Sequence, residues 1–481
     1  MESLTLEQQA IPEYLKNNDG ILLVDAKAGV GKSHTAYKTV EYLNPNKVLY
    51  TAFNKAIIQE GKELFPSNVE CRTLHSLALA AVKPKLPIED FTYTCIKEDI
   101  SYFYKGIIIN AIDEFYRSSS TNAFEFVSNY IKNKLANNEF LKEENERKKI
   151  EFLLTSIANN YIDKMINDEI NPTFNYLLKW MHVLLVDGEL NLEYDLVIFD
   201  EIQDSTGVAL EIFQLLSAPK KLGLGDQHQS IYLFMNLVNG FEVIKDVPIL
   251  PITKTFRCST QIAKEVQHFG KQYLDKHFHF EGIDNPAHDG KTAYITATNA
   301  SIIGIINNLH REGKGYILTR PIKEIFAAPL AVLTASKGKA VYHKKYKFLE
   351  NEYKQFRKSQ YTSFFKYLSV EVAEEEIKST VKLLQQFNQK RINIFDVMNE
   401  AKVAKRDPRI TVGTGFSLKG LGFETVHIHQ DLNNSLIRII EQGGIQSKED
   451  LVAFKLYYVS CTRARCNLYN AELLKTINIT L

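Results

Sequence analysis

Cysteine is scarce in this 481-residue chain, and its five copies form no CxxC pair and no zinc-like spacing. That scarcity excludes a disulfide scaffold and indicates a reducing compartment. Long apolar runs are also missing, since nowhere do about 18 apolar residues follow one another. The N-terminal residues lack a basic stretch followed by an apolar one. We therefore expect a cytoplasmic protein that is neither secreted nor bound to a membrane.

An excess of either charge is absent as well. Lys and Arg number 58 against 57 Asp and Glu, a formal net charge of +1, so no overall field attracts the protein to a polyanion. Any affinity for nucleic acid must then come from local patches. The 45% of hydrophobic and 24% of charged residues are typical of a globular protein and exclude a disordered or collagen-like chain. The length predicts about three domains, with two or four also compatible.

The first part of the chain has the pattern of a parallel sheet covered by helices. Short apolar runs, each typical of a buried strand, occur at residues 21–25, 47–52, 196–199 and 221–224 and alternate with stretches of helical spacing. The long segment between the second and third runs has almost no Gly or Pro and is predicted to be helical. We therefore predict a first α/β domain from residues 1–78 and 192–255, interrupted by a helical insertion at 79–191.

The second part repeats this organisation. Residues 261–274 have helical spacing, and strand-like runs occur at 315–319, 410–413 and 425–429. We predict a second α/β domain from residues 256–332 and 402–481, interrupted by a charged, aromatic and helical insertion at 333–401. The predicted fold class is thus α/β, with two parallel-sheet domains that are each interrupted by a mainly helical insertion.

Residues 26–33, AKAGVGKS, match the phosphate-loop pattern GxxxxGK[ST] except that Ala26 replaces the first glycine. The run lies between a predicted strand and a predicted helix, as this motif requires. Its backbone N–H groups would face phosphate oxygens, Lys32 would contact the β- and γ-phosphates, and the Ser33 hydroxyl would bind Mg²⁺. The alternative, a chance glycine turn, is disfavoured by this context. The predicted nucleotide-binding residues here are Ala28, Gly29, Val30, Gly31, Lys32, Ser33 and His34.

Asp200 and Glu201 directly follow the strand run LVIF. A carboxylate at a strand end can hold the same Mg²⁺ as the phosphate loop, so we assign Asp200 to the metal. Glu201 can then orient and deprotonate the attacking water as a general base. Taken alone, an Asp-Glu pair after a strand is more often a solvated turn. The phosphate loop in the same predicted sheet favours the functional interpretation.

The run DEIQDST at 200–206 resembles the DExQD box of superfamily 1 helicases of the UvrD/PcrA/Rep branch. The GDxHQ wording of a later motif and the run TAFNKAI resemble the F-box DNA helicase group in particular. The resemblance implies two RecA-like domains that bind ATP and Mg²⁺ between them and couple hydrolysis to movement along DNA. The further segments that resemble the family's motifs, in the same order, are LTLEQ at 4–8, TAFNKA at 51–56, RTLHSL at 72–77, GDQHQSIY at 225–232, TFRCS at 255–259, TGFSLKGLGF at 414–423 and YYVSCTRA at 457–464.

The same resemblance implies roles for single residues. Gln8 would read the adenine edge, and Phe256, at the position of the family's tyrosine, would stack on the base. Gln229 would sense the γ-phosphate. Arg257 and Arg463 would be arginine fingers that reach the transition-state charge from the second domain, a contribution worth ~10³ or more in rate. These last three residues, with the phosphate-loop lysine and the general base, form the predicted catalytic set.

Single-stranded DNA would be held by stacking and by hydrogen bonds to phosphates, which tolerate any sequence and permit stepping. The candidates by motif position are Phe53, Asn54, His75, Tyr232 and Phe234. Aromatic residues after strands are as often part of a core, so that alternative stays open for each of them. The resemblance implies single strands and strand junctions as partners, 3′-to-5′ movement and a monomer. We also expect replication or repair proteins as partners, in the cytoplasm of a bacterial or virus-infected cell or at a nucleoid.

The resemblance is incomplete in one motif. Phe416 stands where the family has a histidine that links DNA to ATP, and Gly422 stands where it has a glutamate that contacts the ribose. Glu424, two places on, could take over the ribose contact. These departures keep open a rival function, a nucleotide-gated DNA-binding module that does not cycle. The short insertion at 333–401 keeps open another, a translocase that strips proteins from single strands and unwinds duplex poorly.

Residues 337–367, which we call the basic segment, contain nine Lys or Arg against two Glu, with nine Tyr or Phe interleaved. Basic and aromatic residues together are typical of a nucleic-acid surface. The alternative is a helical pair whose aromatic rings face inward and whose lysines are solvated. The sequence does not decide between them.

Overall fold

The computed structural model describes residues 4–52, 54–136, 143–232, 235–372 and 374–475. The chain forms two compact units. The first consists of Met1–Ala26 and Gly31–Ile252, and the second of Lys27–Val30 and Thr253–Leu481. Within the described part of the chain, no helix is both long and apolar enough to span a bilayer.

The first unit is built on a six-stranded parallel sheet with the strand order β3-β2-β4-β5-β1-β6. Because every pair is parallel, all the carboxyl ends lie at one edge of the sheet. β2 and β4 are buried along their whole length, as expected for strands with helices on both faces. The bounds are β1 Gly20–Ala26, β2 Val48–Ala52, β3 Val69–Arg72, β4 Leu196–Asp200, β5 Lys220–Gly225 and β6 Ile249–Ile252.

Polar side chains cap the N-termini of several helices of this unit. Thr5 and Gln8 form a reciprocal cap at the start of α1, since each side chain accepts from the backbone N–H of the other residue. Thr206, the last residue of DEIQDST, caps α9 by accepting from Ala209 N at 3.3 Å. The bounds are α1 Leu6–Asn17, α2 Lys32–Leu43, α3 Lys55–Leu64, α4 Leu74–Val82, α5 Tyr102–Arg117, α6 Ala123–Ala136, α7 Glu144–Ile166, α8 Phe174–Val186, α9 Gly207–Leu215 and α10 Gly240–Val243.

The segment 79–191 is helical, as predicted, and contains α5 to α8. These helices do not have a core of their own. Ile108 of α5 and Leu154 of α7 belong to the same buried cluster as Leu23 of β1 and Leu49 of β2. The insertion and the sheet therefore pack as one hydrophobic body, which fixes the positions of α5 and α8 relative to the strand ends.

The second unit contains a five-stranded parallel sheet, in the order β10-β11-β9-β12-β13, and a two-stranded parallel pair of β7 with β8. Strands were predicted at 410–413 and 425–429, and β11 and β12 confirm them. The run predicted at 315–319 is only two residues of strand. The bounds are β7 Lys254–Ser259, β8 Glu281–Ile283, β9 Thr292–Thr296, β10 Ile317–Leu318, β11 Ile410–Thr414, β12 Phe423–Ile428 and β13 Ala464–Tyr469.

The segment 333–401 is also mainly helical, as predicted. Its helices share a buried cluster with the sheet domain, since Leu349 and Val381 pack in the same core as Ile303 of α12 and Val412 of β11. The helices of the second unit are α11 Thr260–Tyr273, α12 Asn299–Arg311, α13 Ile322–Ile325, α14 Ala327–Ser336, α15 Leu349–Phe356, α16 Phe364–Glu371, α17 Glu375–Gln389, α18 Ile394–Val403, α19 Gln430–Glu441, α20 Lys448–Cys461 and α21 Glu472–Lys475.

Candidate nucleotide and DNA-binding site

The predicted nucleotide motifs follow three adjacent strands of the first sheet. The phosphate loop follows β1, Asp200 ends β4, and Asp226 follows β5. β5 lies between β1 and β4. Loops at the carboxyl edge of a parallel sheet are where such folds bind their ligands. The topology therefore brings the three motifs to one edge.

Glycine is required twice in the phosphate loop. Gly29 and Gly31 have φ angles of 72° and 80°, in the left-handed region that glycine adopts without strain. A Cβ at Gly29 would also lie 2.5 Å from Cβ of Arg257, which belongs to the same unit. Gly31 precedes α2 and has no side chain to cap the first N–H groups of that helix. An uncapped helix N-terminus after a glycine loop is the arrangement that receives a phosphate.

Two backbone groups of the loop are hydrogen-bonded within the second unit. Ala28 N donates to the Tyr458 hydroxyl at 3.2 Å, and Phe256 N donates to the Gly29 carbonyl at 2.9 Å. Ala28 and Val30 are fully buried. The loop conformation is thus fixed by contacts on both sides of Gly29.

Lys32 and Glu201 form an ion pair in which Nζ lies 2.8 Å from Oε1, and both side chains are largely buried. Burial lowers the pKa of Lys32, but the negative charges of Glu201, Asp200 and Asp226 outweigh it, and the pKa is raised above its usual value. Lys32 therefore stays a cation. A phosphate that contacted it would replace one anionic partner with another.

Asp200 is buried at the end of β4 in a fixed orientation. Its Oδ2 accepts from the Tyr50 hydroxyl at 2.6 Å, and its Oδ1 accepts from Glu201 N at 2.9 Å. Burial, followed by the neighbouring charge of Glu201, raises the pKa of Asp200. Sequence reasoning missed Tyr50, because it lies in the buried run of β2 and looks there like a core residue.

Glu201 has a backbone conformation that is unusual for a residue with a side chain. Its φ is +56°, in the left-handed region. Strained residues of this kind often occur at functional sites, where the surrounding structure imposes them. Gln203 supports the position, because its Nε2 donates to Glu201 Oε2 and its Oε1 accepts from Asp226 N at 3.2 Å. Gln203 thus connects the ends of β4 and β5.

Gln229 lies in a short 3-10 turn, Gln227–Gln229, directly after β5. Its Nε2 donates to Asp226 Oδ2 at 2.7 Å, and both residues are buried. The neighbouring Gln227 donates to Asp25 Oδ2 at 2.9 Å and so ties this turn to the end of β1. The residue predicted to sense the γ-phosphate is therefore held beside the strand that carries the phosphate loop.

Gln8, predicted to read adenine, is buried next to the helix that follows the phosphate loop. Its Nε2 donates to Thr35 Oγ1 of α2 at 2.9 Å, while its Oε1 accepts from Thr5 N. His34, predicted to bind nucleotide, is exposed on α2. The structure thus places Gln8 one helical turn from Lys32.

The two predicted arginine fingers lie in the second unit and donate to carbonyls there. Arg257 Nη1 is 3.4 Å from Thr462 O. Arg463 is 1% exposed, and its Nε and Nη1 donate to Val459 O at 2.9 Å and Leu421 O at 3.1 Å. To contact a phosphate, each guanidinium would have to give up at least one of these carbonyl partners.

The two other nucleotide candidates of the second unit differ in their surroundings. Phe256 is 45% exposed, so its ring has a surface on which a base can stack. Glu424 is engaged locally, since its Oε2 accepts from Asp289 N at 2.8 Å and Gly290 N at 2.7 Å. The Gly290 N–H is the main reason that the pKa of Glu424 is lowered.

The predicted DNA-contact residues fall into two groups. Phe53 and Phe234 lie outside the described residues. Asn54 caps α3 by accepting from Ala56 N at 2.8 Å, and Tyr232 is half-buried. His75, at the start of α4, shares a 2.9 Å hydrogen bond with Asn175 Oδ1, and burial lowers its pKa. A neutral imidazole has a single N–H, which here donates to Asn175, so contact with a phosphate would require His75 to give up that hydrogen bond.

A polar network in the helical insertion was not found from the sequence. Asn175 Nδ2 donates to Asp113 Oδ1 of α5 at 2.6 Å, so it connects His75 to that helix. At the end of α5, Arg117 donates to Met235 O, in the segment that follows the motif GDQHQSIY. Helices from the insertion thus contact two of the three segments of the first unit that carry predicted DNA-binding residues. The residues of this polar network are polar, but nothing else in the local sequence indicates that they interact.

Comparison with known proteins finds similarity to DNA helicases. A family model described as the UvrD/REP helicase N-terminal domain matches residues 4–239. F-box DNA helicase 1 of Gallus gallus is 25% identical, in an alignment that covers 98% of this chain and 49% of that protein. F-box DNA helicase protein 1 of Schizosaccharomyces pombe is 25% identical over 55% of this chain and 32% of that protein.

The chain spans about half or less of the length of these curated relatives. The family match covers the first parallel sheet, its helical insertion and the motifs after β1, β4 and β5. Residues 4–239, just under half of the chain, are thus similar to the N-terminal domain of UvrD/REP helicases.

Proposed function

We propose that this protein is an ATP-dependent DNA helicase that moves along single-stranded DNA in the 3′-to-5′ direction. The observation that carries the proposal is the pairing of Lys32 with Glu201 at 2.8 Å beside the buried carboxylate of Asp200. These are a phosphate-binding cation, a general base and a metal ligand in one place, within a UvrD/REP helicase domain.

The residues around α2 fit a nucleoside triphosphate with Mg²⁺. A Cβ at Gly29 would clash with Arg257, and the helix that begins after Gly31 has no side-chain cap, as a phosphate-binding helix start requires. Ser33 and Asp200 would hold the metal, which, when bound, neutralises charge on the phosphates. Among the described residues, no group of three or more His, Cys, Asp or Glu could hold a metal ion. Two protein ligands are enough for Mg²⁺, which takes its others from phosphates and water.

Glu201 would act as the general base. Its carboxylate is held by Lys32 on one oxygen and by Gln203 on the other. A phosphate that takes over Lys32 would release one carboxylate oxygen for an attacking water, so nucleotide binding itself would free the base. Gln229, fixed by Asp226, would contact the γ-phosphate.

The second unit would supply Phe256 for the base and Arg257 and Arg463 for the transition-state charge. These two arginines would have to exchange carbonyl partners such as Thr462 and Leu421 for phosphate oxygens. A ribose contact by Glu424 would likewise require its carboxylate to leave the backbone N–H groups of the 289–290 loop.

Single-stranded DNA would lie along the first unit at Asn54, His75 and Tyr232. The names of the relatives, which specify DNA helicases, support the choice of DNA. We also propose that the protein acts as a monomer in the cytoplasm or at a nucleoid, with replication or repair proteins as partners.

A duplex with a single-stranded tail tests the proposal. Strand separation should require ATP and Mg²⁺ and should occur on a 3′-tailed duplex but not on a 5′-tailed one. Unwinding of the 5′-tailed duplex alone would contradict the polarity.

A parallel assay separates the proposed helicase from a protein-stripping translocase. Streptavidin is released from a biotinylated single strand by both, whereas only the helicase also separates a fork efficiently. Release of streptavidin without strand separation would favour the stripping translocase, and neither activity would favour a DNA-binding module that does not cycle.

A further inference from the structure

The aromatic and basic residues of the basic segment, 337–367, have different surroundings. Tyr346, Phe364 and Tyr367 are buried in the core of the second unit. The rings also pack on one another, with Phe364 5.3 Å from Tyr353 and stacked on Tyr367 at 6.2 Å between centroids. Of the aromatic residues in this segment, Tyr342 is the highly exposed one, at 94%. The rings therefore stabilise the insertion rather than form a stacking platform.

All nine cations of the same segment are exposed. Because the whole chain has a net charge of only +1, this local excess is not part of a general positive field. The segment therefore presents cationic groups, with little aromatic surface, to the solvent. The exposed residues are Lys337, Lys339, Lys344, Lys345, Lys347, Lys354, Arg357, Lys358 and Lys366.

Four of these cations line one groove of about 530 Å³. Lys339 comes from the turn after α14, and Lys354, Arg357 and Lys358 come from the last turn of α15 and the residues just beyond it. The one carboxylate in the lining is Glu350, and its Oε1 accepts from Val341 N at 2.7 Å. The groove thus collects four positive charges against one negative charge. We call it the basic groove.

A purely local explanation accounts for only part of this arrangement. Cations at a helix C-terminus interact favourably with the helix dipole, by about 0.3–1 kcal/mol each, which can explain Lys354, Arg357 and Lys358. Lys339 follows the end of a different helix, α14, and no single helix dipole explains why cations from two segments meet in one groove. Among the described residues, none of the four cations forms an ion pair. Like charges that converge without counter-ions repel one another, and a bound polyanion would remove that repulsion.

We propose that the basic groove binds the phosphate backbone of a nucleic acid, in addition to the contacts proposed for the first unit. The proposal rests on the proposed function in one respect, that DNA is the polyanion the protein meets. Exposed side chains on two segments suit a ligand that carries its charges in a row, whereas a small anion would need buried donors. Since the groove lining contains one aromatic ring, Tyr353, beside four cations, the contact would be mainly electrostatic and would not depend on base sequence.

A triple variant, Lys354→Gln with Arg357→Gln and Lys358→Gln, tests the proposal. A matched control removes three exposed lysines elsewhere in the second unit, Lys264, Lys271 and Lys276, by the same change to glutamine. Binding of a fluorescent single strand and a fluorescent duplex is followed by anisotropy over a range of KCl concentrations. Both variants should be checked by circular dichroism and thermal melting.

The basic groove predicts a weaker salt dependence in the triple variant. Each lost phosphate contact reduces the slope of log K against log [salt] by about 0.9 for duplex and about 0.7 for a single strand. The slope should therefore fall by up to about 2.7 for duplex and about 2.1 for the single strand, and affinity at low salt should fall at least ~10-fold. The control should bind like the wild type. Comparing the two ligands shows which form of backbone the groove prefers.

Two results would overturn the proposal. One is an unchanged affinity and slope in the folded triple variant, and the other is an equal effect in the control. If the triple variant binds DNA normally but loses retention on immobilised polyglutamate, the groove fits an acidic protein and the nucleic-acid proposal is wrong. Should the triple variant fail to fold, Lys339→Gln gives the same test with a smaller change in slope. Lys339 belongs to the other segment that lines the groove.

The result of this test of the basic groove can be distinguished from the result for the proposed helicase function. In the triple variant, ATP turnover at saturating single-stranded DNA should equal that of the wild type, because the groove touches none of the proposed catalytic residues. Wild-type protein that binds DNA through the groove but shows no DNA-stimulated ATP turnover would leave the groove standing and remove the helicase.

Discussion

Lys32 Nζ lies 2.8 Å from Glu201 Oε1, so the cation proposed for the phosphates and the base proposed for the water share one ion pair. A triphosphate must compete with Glu201 for Lys32, and in doing so it releases the carboxylate. This exchange leads to a separate prediction for each of the two residues.

Lys32→Ala should abolish ATP hydrolysis, with a fall of at least ~10²-fold in turnover, because it removes a charge aimed at the transferring phosphoryl group. Steady-state phosphate release measures the effect. Lys38→Ala is the matched control, since Lys38 lies on the same helix and pairs with Glu41 on the exposed side. Comparable activity of the two variants would contradict the assignment of Lys32.

Glu201→Gln should retain nucleotide binding and lose ~10²- to 10⁴-fold in turnover, the range that a general base contributes. Binding should be as tight as in the wild type or tighter, because the competing carboxylate charge on Lys32 is gone. A fluorescent ATP analogue measures binding, and single-turnover hydrolysis measures the chemistry. Near wild-type turnover would mean that another residue is the base.

Tyr50→Phe should destabilise the first unit by about 1.5–3 kcal/mol, the usual value of a hydrogen bond to a charged group. The Tyr50 hydroxyl donates to buried Asp200 at 2.6 Å, and the variant leaves that oxygen without its donor. Urea unfolding followed by fluorescence of Trp180, the single tryptophan, gives the free energy. Tyr42→Phe, a half-buried tyrosine of α2, is the control. A loss below about 0.5 kcal/mol would show that Asp200 does not depend on Tyr50.

His182 should make the first unit less stable in mild acid. Burial, with a further contribution from Lys179, lowers the pKa of His182 to about 4, although Glu211 Oε2 is 3.1 Å from its Nε2. An unfolded histidine has a pKa of about 6.5, so below this pH the unfolded chain binds a proton that the folded chain does not. Stability is therefore lost as the pH falls from about 6.5 towards 4, by about 2 kcal/mol between pH 7 and 5.

The measurement for His182 is urea unfolding at both pH values, again through Trp180, which lies two residues away on α8. The His182→Gln variant should show a pH dependence that is smaller by that amount. The same pH dependence in variant and wild type would assign the acid sensitivity to other groups.

Asn175→Ala should weaken the action of DNA without slowing the chemistry. Asn175 bridges His75 and Asp113, and losing two hydrogen bonds should raise the DNA concentration for half-maximal ATPase ~5- to 10-fold. The maximal rate at saturating DNA should not change. Asn159→Ala on α7 serves as the control, because the Asn159 Nδ2 donates to Thr155 O within the same helix. A lower maximal rate with unchanged DNA dependence would indicate a general structural role.

The sequence predicted the elements that have local signals. The phosphate loop and Asp200 could be placed because each follows a short apolar run, and the structure has β1 and β4 there. β9 and β13 were missed, although both belong to the second sheet, because the apolar runs in TAYIT and ARCNLY are no longer than three residues. β9 lies between β11 and β12, which are far away in the sequence.

The contacts of the site that could not be predicted also join residues far apart in the sequence. Tyr50 and Asp200 are 150 residues apart, and His75 and Asn175 are 100 apart. Such contacts depend on strand order and helix packing, which residue spacing does not encode. The left-handed backbone of Glu201 was unpredictable for the same reason, since glutamate has no local preference for it.

ATP turnover by the wild-type protein, measured with and without single-stranded DNA, tests the central claim most directly. We predict that turnover requires Mg²⁺ and rises at least ~10-fold with DNA, which corresponds to an activation free energy lower by about 1.4 kcal/mol. Equal turnover in the presence and absence of DNA would contradict a motor that is driven along the strand by ATP.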